Sequence, residues 1–227
     1  MAMIEQDYIM RMINMMVAML ARLIRHKNKK EFPQALLEIE TTGRTLLGID
    51  RDFIRSLSPA QLMELFGSDL SVALPKLYIL ALLLKEEADV RALMGEETDP
   101  LRVKSLCLLI DTLLKGGEPV ESRHTQIIEE LIGTFHNRAL PADTLNRLIQ
   151  YYEHAGRFDR AENVLYDLLE ADPDYAGEGV LFYRRLLQRS DAELEAGRLP
   201  RNEVADGLAW LQERHYPDGR GHLSTVT

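Results

Sequence analysis

Cysteine is almost absent from this 227-residue chain, in which Cys107 is the only one. One thiol cannot close a disulfide within the chain, so the disulfide-stapled folds of small secreted proteins are excluded. Cys107 lies in the apolar residues 106–110, where we expect it to act as a small buried hydrophobic side chain. The composition therefore favours a protein of the reducing cytoplasm.

Long apolar runs and strand-like alternation are lacking as well. No stretch of 18 apolar residues occurs, which argues against a transmembrane span. Runs of Val, Ile and Thr with a period of two are scarce, and glycine and proline number only 14 and 9. The sequence predicts an all-α protein of about ten helices. Two helix starts are predicted at Ser58-Pro59 and at Asp99-Pro100.

Catalytic motifs are also missing. The sequence has no glycine-rich phosphate loop, no Gly-x-Ser-x-Gly elbow, no His-Glu-x-x-His helix and no cysteine pair for zinc. The nearest approach to a metal-ligand set, His215 with Asp218 and His222, lies in a glycine-rich tail. We therefore expect no catalysis, no cofactor and no metal. The net charge of −9 argues against a nucleic-acid partner, because it would repel phosphates.

The most informative segment of the chain is residues 145–173. Its apolar residues recur at three- and four-residue steps in two stripes, which predicts two amphipathic helices. Gly156 separates the stripes, as expected of a residue that ends a helix in the left-handed conformation. The small Ala161 would let the two helices approach closely. The pattern is formed by Leu145, Leu148, Ile149, Tyr152, Gly156, Phe158, Ala161, Leu165, Leu168 and Pro173.

These offsets resemble a tetratricopeptide unit, a 34-residue helix-turn-helix repeat. Ala35 and Ile39 repeat the spacing of Ala161 and Leu165, so residues 16–49 look like a degenerate copy. The whole chain resembles a poorly characterised bacterial family of short tetratricopeptide-like proteins that begin with an apolar helix. The resemblance implies an array of antiparallel helix pairs and brings no known activity with it.

We expect a single helical-repeat domain over residues 1–227, because stacked hairpins need neighbours to bury their faces. Its predicted segments are the apolar N-terminal helix with the degenerate repeat (1–49), divergent helical pairs (50–141), the clear tetratricopeptide unit (142–175), C-terminal capping helices (176–215) and a mobile tail (216–227).

The resemblance also implies a binding groove for a partner protein or peptide. The residues that match groove positions are Asn146, Gln150 and His154 on one helix, Arg184, Arg185 and Gln188 on the next candidate groove helix, and Lys104 on an earlier one. Side-chain amides can bond a peptide backbone as donor and acceptor, and arginine can bind a carboxylate. The alternative is a polar face that is merely solvated. The resemblance does not identify the partner.

Methionine is concentrated at the start of the chain, with seven of the nine methionines in the first nineteen residues. The apolar face there must be covered. Three coverings stay open: packing against the helix that contains Ala35, a homodimer, or peripheral contact with an anionic membrane surface, since basic residues outnumber acidic ones in residues 1–30. The residues predicted as a possible oligomer or membrane face are Met12, Met16, Met19, Leu20 and Leu23.

Overall fold

The computed structural model describes residues 2–116, 122–135 and 138–215. Every regular element in these ranges is helical, which confirms the all-α prediction. The elements are α1 (Ala2–Asn28), α2 (Phe32–Leu47), α3 (Arg51–Ser56), α4 (Pro59–Leu65), α5 (Leu70–Leu93), α6 (Asp99–Gly116), α7 (Arg123–Gly133), α8 (Ala142–His154), α9 (Phe158–Ala171), a 3-10 turn (Pro173–Tyr175), α10 (Ala176–Leu186), α11 (Asp191–Ala196) and α12 (Arg201–His215). The predicted mobile tail at residues 216–227 lies outside the described part of the chain.

Helix starts follow the local capping chemistry. The Ser58 side chain accepts a hydrogen bond from the backbone N–H of Gln61, and the Gln61 side chain bonds back to Ser58, which closes a capping box at the start of α4. Ser190 and Glu193 form the same arrangement at α11. Helix α6 begins at Asp99. The two predicted helix starts are therefore confirmed.

Two compact units divide the chain, Met1–Arg138 and Ala139–Thr227. The single domain predicted over residues 1–227 stays a prediction. None of the helices that the structure describes combines the length and the apolar character needed to cross a membrane.

Helix α5 is the centre of the first unit, where it packs against α6 and α2. It is apolar around most of its circumference, so it is buried on several sides. Leu77, Leu80 and Leu84 lie in this core. Cys107 on α6 is buried too, as expected of a thiol that serves as a small hydrophobic side chain.

Helix α1 packs against α2 and also contacts α5. Met12, Met16, Met19 and Leu23 are buried, and so is Ala35 of α2. Four of the five residues predicted as a possible oligomer or membrane face are therefore core residues in this structure. The physical reason is their spacing, because steps of three and four place all four on the stripe that faces the fold. Of the predicted set, Leu20 alone stays partly exposed.

Helices α8 and α9 pack against each other in the second unit. Gly156 between them has φ of +67°, in the left-handed region that favours glycine. Ala161 is completely buried, and Tyr152 and Phe158 are buried as well. The two stripes predicted for residues 145–173 therefore both face inward.

The sequence Ala-Gly-Arg occurs twice in this unit, at residues 155–157 before α9 and at 196–198 before α12. The two turns meet, because the backbone N–H of Asp159 donates to the carbonyl oxygen of Gly197, at 3.1 Å. A Cβ on Gly197 would lie 2.8 Å from the carbonyl oxygen of Gly156 and would overlap the ring of Phe158. Glycine is therefore needed here for close approach. Its own φ is −81°, and the left-handed position falls on Arg198, with φ of +59°.

Candidate interaction face of the C-terminal unit

Helix α8 separates polar from apolar residues along its length. Leu145, Leu148 and Tyr152 are buried. Gln150 and His154 are exposed and share one side of the helix, since they are four residues apart. Asn146 belongs to the same row and is half-buried. Helix α8 thus presents a polar row to solvent.

Helix α10 is tied to α8 by a two-pronged ion pair. Arg185 donates to Glu153 from Nε at 2.9 Å and from Nη2 at 2.7 Å. This bond raises the pKa of Arg185, with nearby acidic charges adding to it and burial opposing it. Planar bidentate pairs of this kind fix geometry as well as charge. The binding role predicted for Arg185 stays a prediction, and the structure shows this residue in an ion pair between two helices.

The Arg185–Glu153 ion pair lies beside polar residues of both helices. On α8, Gln150 is one turn before Glu153, and after α10 Gln188 is one turn beyond Arg185. Residues three apart on a helix share a face, so Gln150 lies beside Glu153, while Gln188 lies in the turn that follows α10. We name the polar strip by its exposed residues Gln150, His154, Arg184 and Gln188.

Lys104 has a different place from the other predicted groove residues. It belongs to α6 in the first unit, where its Nζ donates to the carbonyl oxygens of Ile54 at 3.0 Å and Arg55 at 2.7 Å. The last carbonyls of a helix lack partners within the helix, so Lys104 caps the C-terminal end of α3. Burial lowers the pKa of Lys104, and the charge of Arg55 lowers it further. Its amine is thus engaged within the fold.

Sequence reasoning missed an exposed aromatic cluster on α9 and α12. Tyr166 and Trp210 meet edge to face, with ring centroids 5.7 Å apart. The guanidinium carbon of Arg214 lies 5.3 Å from the centre of the Trp210 ring. The only available signal was that the chain's single Trp stands four residues before an Arg on a helix. Its contact with Tyr166 depends on the packing of separate helices.

A partly buried hydrogen bond lies near this cluster. The Tyr183 hydroxyl donates to Oε1 of Glu162 at 2.7 Å. Gly207 leaves room for the Tyr183 ring, since a Cβ there would come within 2.6 Å of the hydroxyl oxygen. Burial raises the pKa of Glu162, the bond from Tyr183 opposes that rise, and the charge of Glu203 adds to it. Burial is also the main cause that raises the pKa of Tyr183.

Among the described residues, no group of three or more His, Cys, Asp or Glu side chains is placed to hold a metal ion. The candidate set of His215, Asp218 and His222 has its side chains outside the described part of the structure.

Comparison with known proteins gives one match, to a protein family. No curated protein and no solved structure matches the chain. A model of a family of unknown function (DUF6483) matches residues 3–215, which covers nearly the whole sequence and both units. The chain therefore belongs to this family of unknown function.

Proposed function

We propose that this protein is a tetratricopeptide-like scaffold of the cytoplasm that binds a peptide segment of a partner protein and has no catalysis of its own. The observation that carries the proposal is the Arg185–Glu153 pair, which holds α10 against α8 beside exposed polar residues. In tetratricopeptide arrays the first helices of successive antiparallel pairs line the groove. Helices α8 and α10 are the matching helices here.

The polar strip has the chemistry to hold an extended, acidic peptide. Gln150 and Gln188 each offer an amide donor and acceptor, which is what a peptide backbone needs. Arg184 is exposed next to the braced Arg185, and its guanidinium can take a carboxylate through two bonds. Because Arg185 already neutralises Glu153, a peptide carboxylate would not face an unpaired acid at that point.

The test compares peptide selection by the intact chain and by a Gln150→Ala, Arg184→Glu variant. A random peptide library displayed on phage is panned against each protein, and the selected peptides are synthesised for Kd measurement by fluorescence polarisation. We expect acidic peptides to be selected by the intact chain and to bind the variant at least about tenfold more weakly, the effect of losing roughly 1.4 kcal/mol.

A matched control separates local from general electrostatics. Lys115→Glu makes the same charge change at an exposed residue near the end of α6. It should leave peptide binding unchanged. Equal binding by all three proteins, with circular dichroism showing that all are folded, would refute the polar strip as the binding surface.

A further inference from the structure

Helix α1 carries a second apolar stripe, beside the stripe of its buried methionines. The members of this outer seam are spaced alternately by three and four residues, so they form one straight row on the helix. Four are large and well exposed, and Leu20 is partly exposed between them. The seam consists of Met10, Ile13, Val17, Leu20 and Ile24.

The seam is kept at the surface by the contacts that the rest of the helix makes with the fold. Met16 and Met19 fix the neighbouring stripe in the core of the first unit. Near the C-terminal end of α1, Arg22 Nε donates to Glu38 at 2.7 Å and Lys27 Nζ donates to Glu86 at 2.6 Å. Rotating α1 to bury the outer seam would break these bonds and expose the methionines. The fold therefore keeps the seam at the surface.

The spacing of the outer seam matches the interface of a two-helix coiled coil. Met10, Val17 and Ile24 are spaced by seven residues and take the first apolar position of the heptad. Ile13 and Leu20 lie between them and take the second apolar position. From Met10 to Ile24 the seam is about 21 Å long, at about 1.5 Å per residue. A contiguous apolar row of this kind on a soluble fold marks an interaction surface.

Four residues of the seam, Ile13, Val17, Leu20 and Ile24, are complementary to the same four of a second copy in an antiparallel arrangement. In an antiparallel two-helix coiled coil, each layer pairs the first apolar heptad position of one helix with the second apolar position of the other. Val17 would therefore pack on Leu20 of a second copy, and Ile13 on Ile24. The sequence of α1 places Glu5 near its start and most of its basic residues in the last turn and beyond. The antiparallel arrangement sets the acidic end of one helix beside the basic end of the other. A parallel pair would place like charges together.

The residues beside the outer seam favour a helix over a membrane as its cover. Ala21 is exposed along its edge, and its small side chain permits close approach of a second helix backbone. The seam itself has no Trp, Tyr or Phe, the residues that anchor helices at a lipid interface.

We propose that the outer seam of α1 binds the same seam of a second copy, so that the protein is an antiparallel homodimer through α1. Val17 is at the middle of the seam, with 60% of its surface exposed. A glutamate there would bring two negative charges into the apolar layers of the dimer. The monomer would tolerate it, since Val17 makes no contribution to the core.

The experiment is sedimentation velocity on the intact chain, Val17→Glu and Leu37→Glu over a range of concentrations. Leu37 on α2 is the matched control, because it is also a large aliphatic residue and is 62% exposed. We expect the intact chain and Leu37→Glu to dimerise with the same Kd and Val17→Glu to dimerise at least about thirtyfold more weakly, with its melting temperature unchanged. An intact chain that stays monomeric at 100 µM (~2.6 mg/mL), or a Val17→Glu dimer of unchanged affinity, overturns the proposal.

Oxidative crosslinking tests the orientation. Ile13→Cys with Ile24→Cys should form a covalent dimer, whereas Ile24→Cys alone should not, because in the antiparallel pair residue 24 meets residue 13. The native Cys107 is buried, so the unmodified chain is the background control. Efficient crosslinking by Ile24→Cys alone contradicts the antiparallel arrangement. Flotation of a monomeric intact chain with vesicles of phosphatidylcholine and phosphatidylglycerol, lost in Val17→Glu, would assign the seam to a membrane surface and refute the dimer.

Discussion

Glu87 accepts a hydrogen bond of 2.8 Å from Nε of Arg91, one turn later in α5, although only 3% of the Glu87 side chain is exposed. Arg55 of α3 also donates to this carboxylate, and Arg51 lies 3.8 Å away. A buried carboxylate is tolerated because these arginines surround it. Glu87 thereby attaches the short helix α3 to the central helix of the first unit.

Replacement of this carboxylate should loosen the first unit. In Glu87→Gln the arginines lose the negative charge that they bind, while they stay partly buried. We expect this to lower the free energy of unfolding by about 2 kcal/mol. The loss is smaller than for a fully buried ion pair, because Arg55 is partly exposed. Urea unfolding followed by circular dichroism measures the change. Glu64→Gln at an exposed position is the control and should be neutral. An equal effect of both substitutions would show that Glu87 is not a structural anchor.

The two Ala-Gly-Arg turns give a pair of predictions with opposite signs. Gly197→Ala should lower the free energy of unfolding by about 2 kcal/mol, since the new methyl group overlaps Phe158 and the Gly156 carbonyl. Arg198→Gly should raise it by about 0.5 kcal/mol, because relief of the left-handed conformation exceeds the entropy that glycine adds to the unfolded chain. Thermal and urea unfolding of both variants check the signs. Destabilisation by Arg198→Gly would mean that the Arg198 side chain stabilises the fold more than its backbone strains it.

The helical parts of the fold that local chemistry determines could be predicted from the sequence. Ser58-Pro59 fixes a helix start by capping, and Gly156 fixes a helix end by its left-handed backbone. Lys104 shows where this reasoning fails, because its cap on α3 joins residues some fifty positions apart in the chain. The ion pair of Arg185 could not be predicted for the same reason, since its partner Glu153 is on another helix.

The two apolar stripes of α1 show a second limit. Both stripes have helical spacing, so periodicity alone does not decide which of them faces the core. The methionine-rich stripe with Met16 is the buried one, and the stripe with Val17 is exposed. Packing against α2 makes the choice.

The partly buried carboxyl group of Glu162 predicts a pH effect on the stability of the second unit. Since burial raises the pKa of Glu162 in the folded protein, the folded state holds this proton more tightly than the unfolded chain. This residue's contribution to the free energy of unfolding is therefore largest below the ordinary carboxyl pKa and falls as the pH rises from about 4.3 through the raised value. Glu162→Gln keeps an acceptor for the Tyr183 hydroxyl and removes the titration.

The measurement is urea unfolding at a series of pH values on either side of the ordinary carboxyl range. Glu162→Gln should lose less stability than the intact chain over the rise in pH. Glu170→Gln, an exposed carboxyl on the same helix, should behave like the intact chain. Identical pH profiles for Glu162→Gln and the intact chain would contradict a raised pKa at Glu162.

Neighbouring residues of α1 should respond to substitution in opposite ways. Met16→Ala removes a core side chain, and we expect the free energy of unfolding to fall by about 2–4 kcal/mol, as for other large-to-small changes in a packed core. Val17→Ala removes exposed methyl groups, so the folded monomer should change by less than about 0.5 kcal/mol. The effect of Val17→Ala should appear instead in the dimer affinity, because the seam loses its central layer. Urea unfolding at low protein concentration and sedimentation at high concentration separate the two quantities. Loss of monomer stability in Val17→Ala as large as in Met16→Ala would place Val17 in the core and remove the basis of the seam.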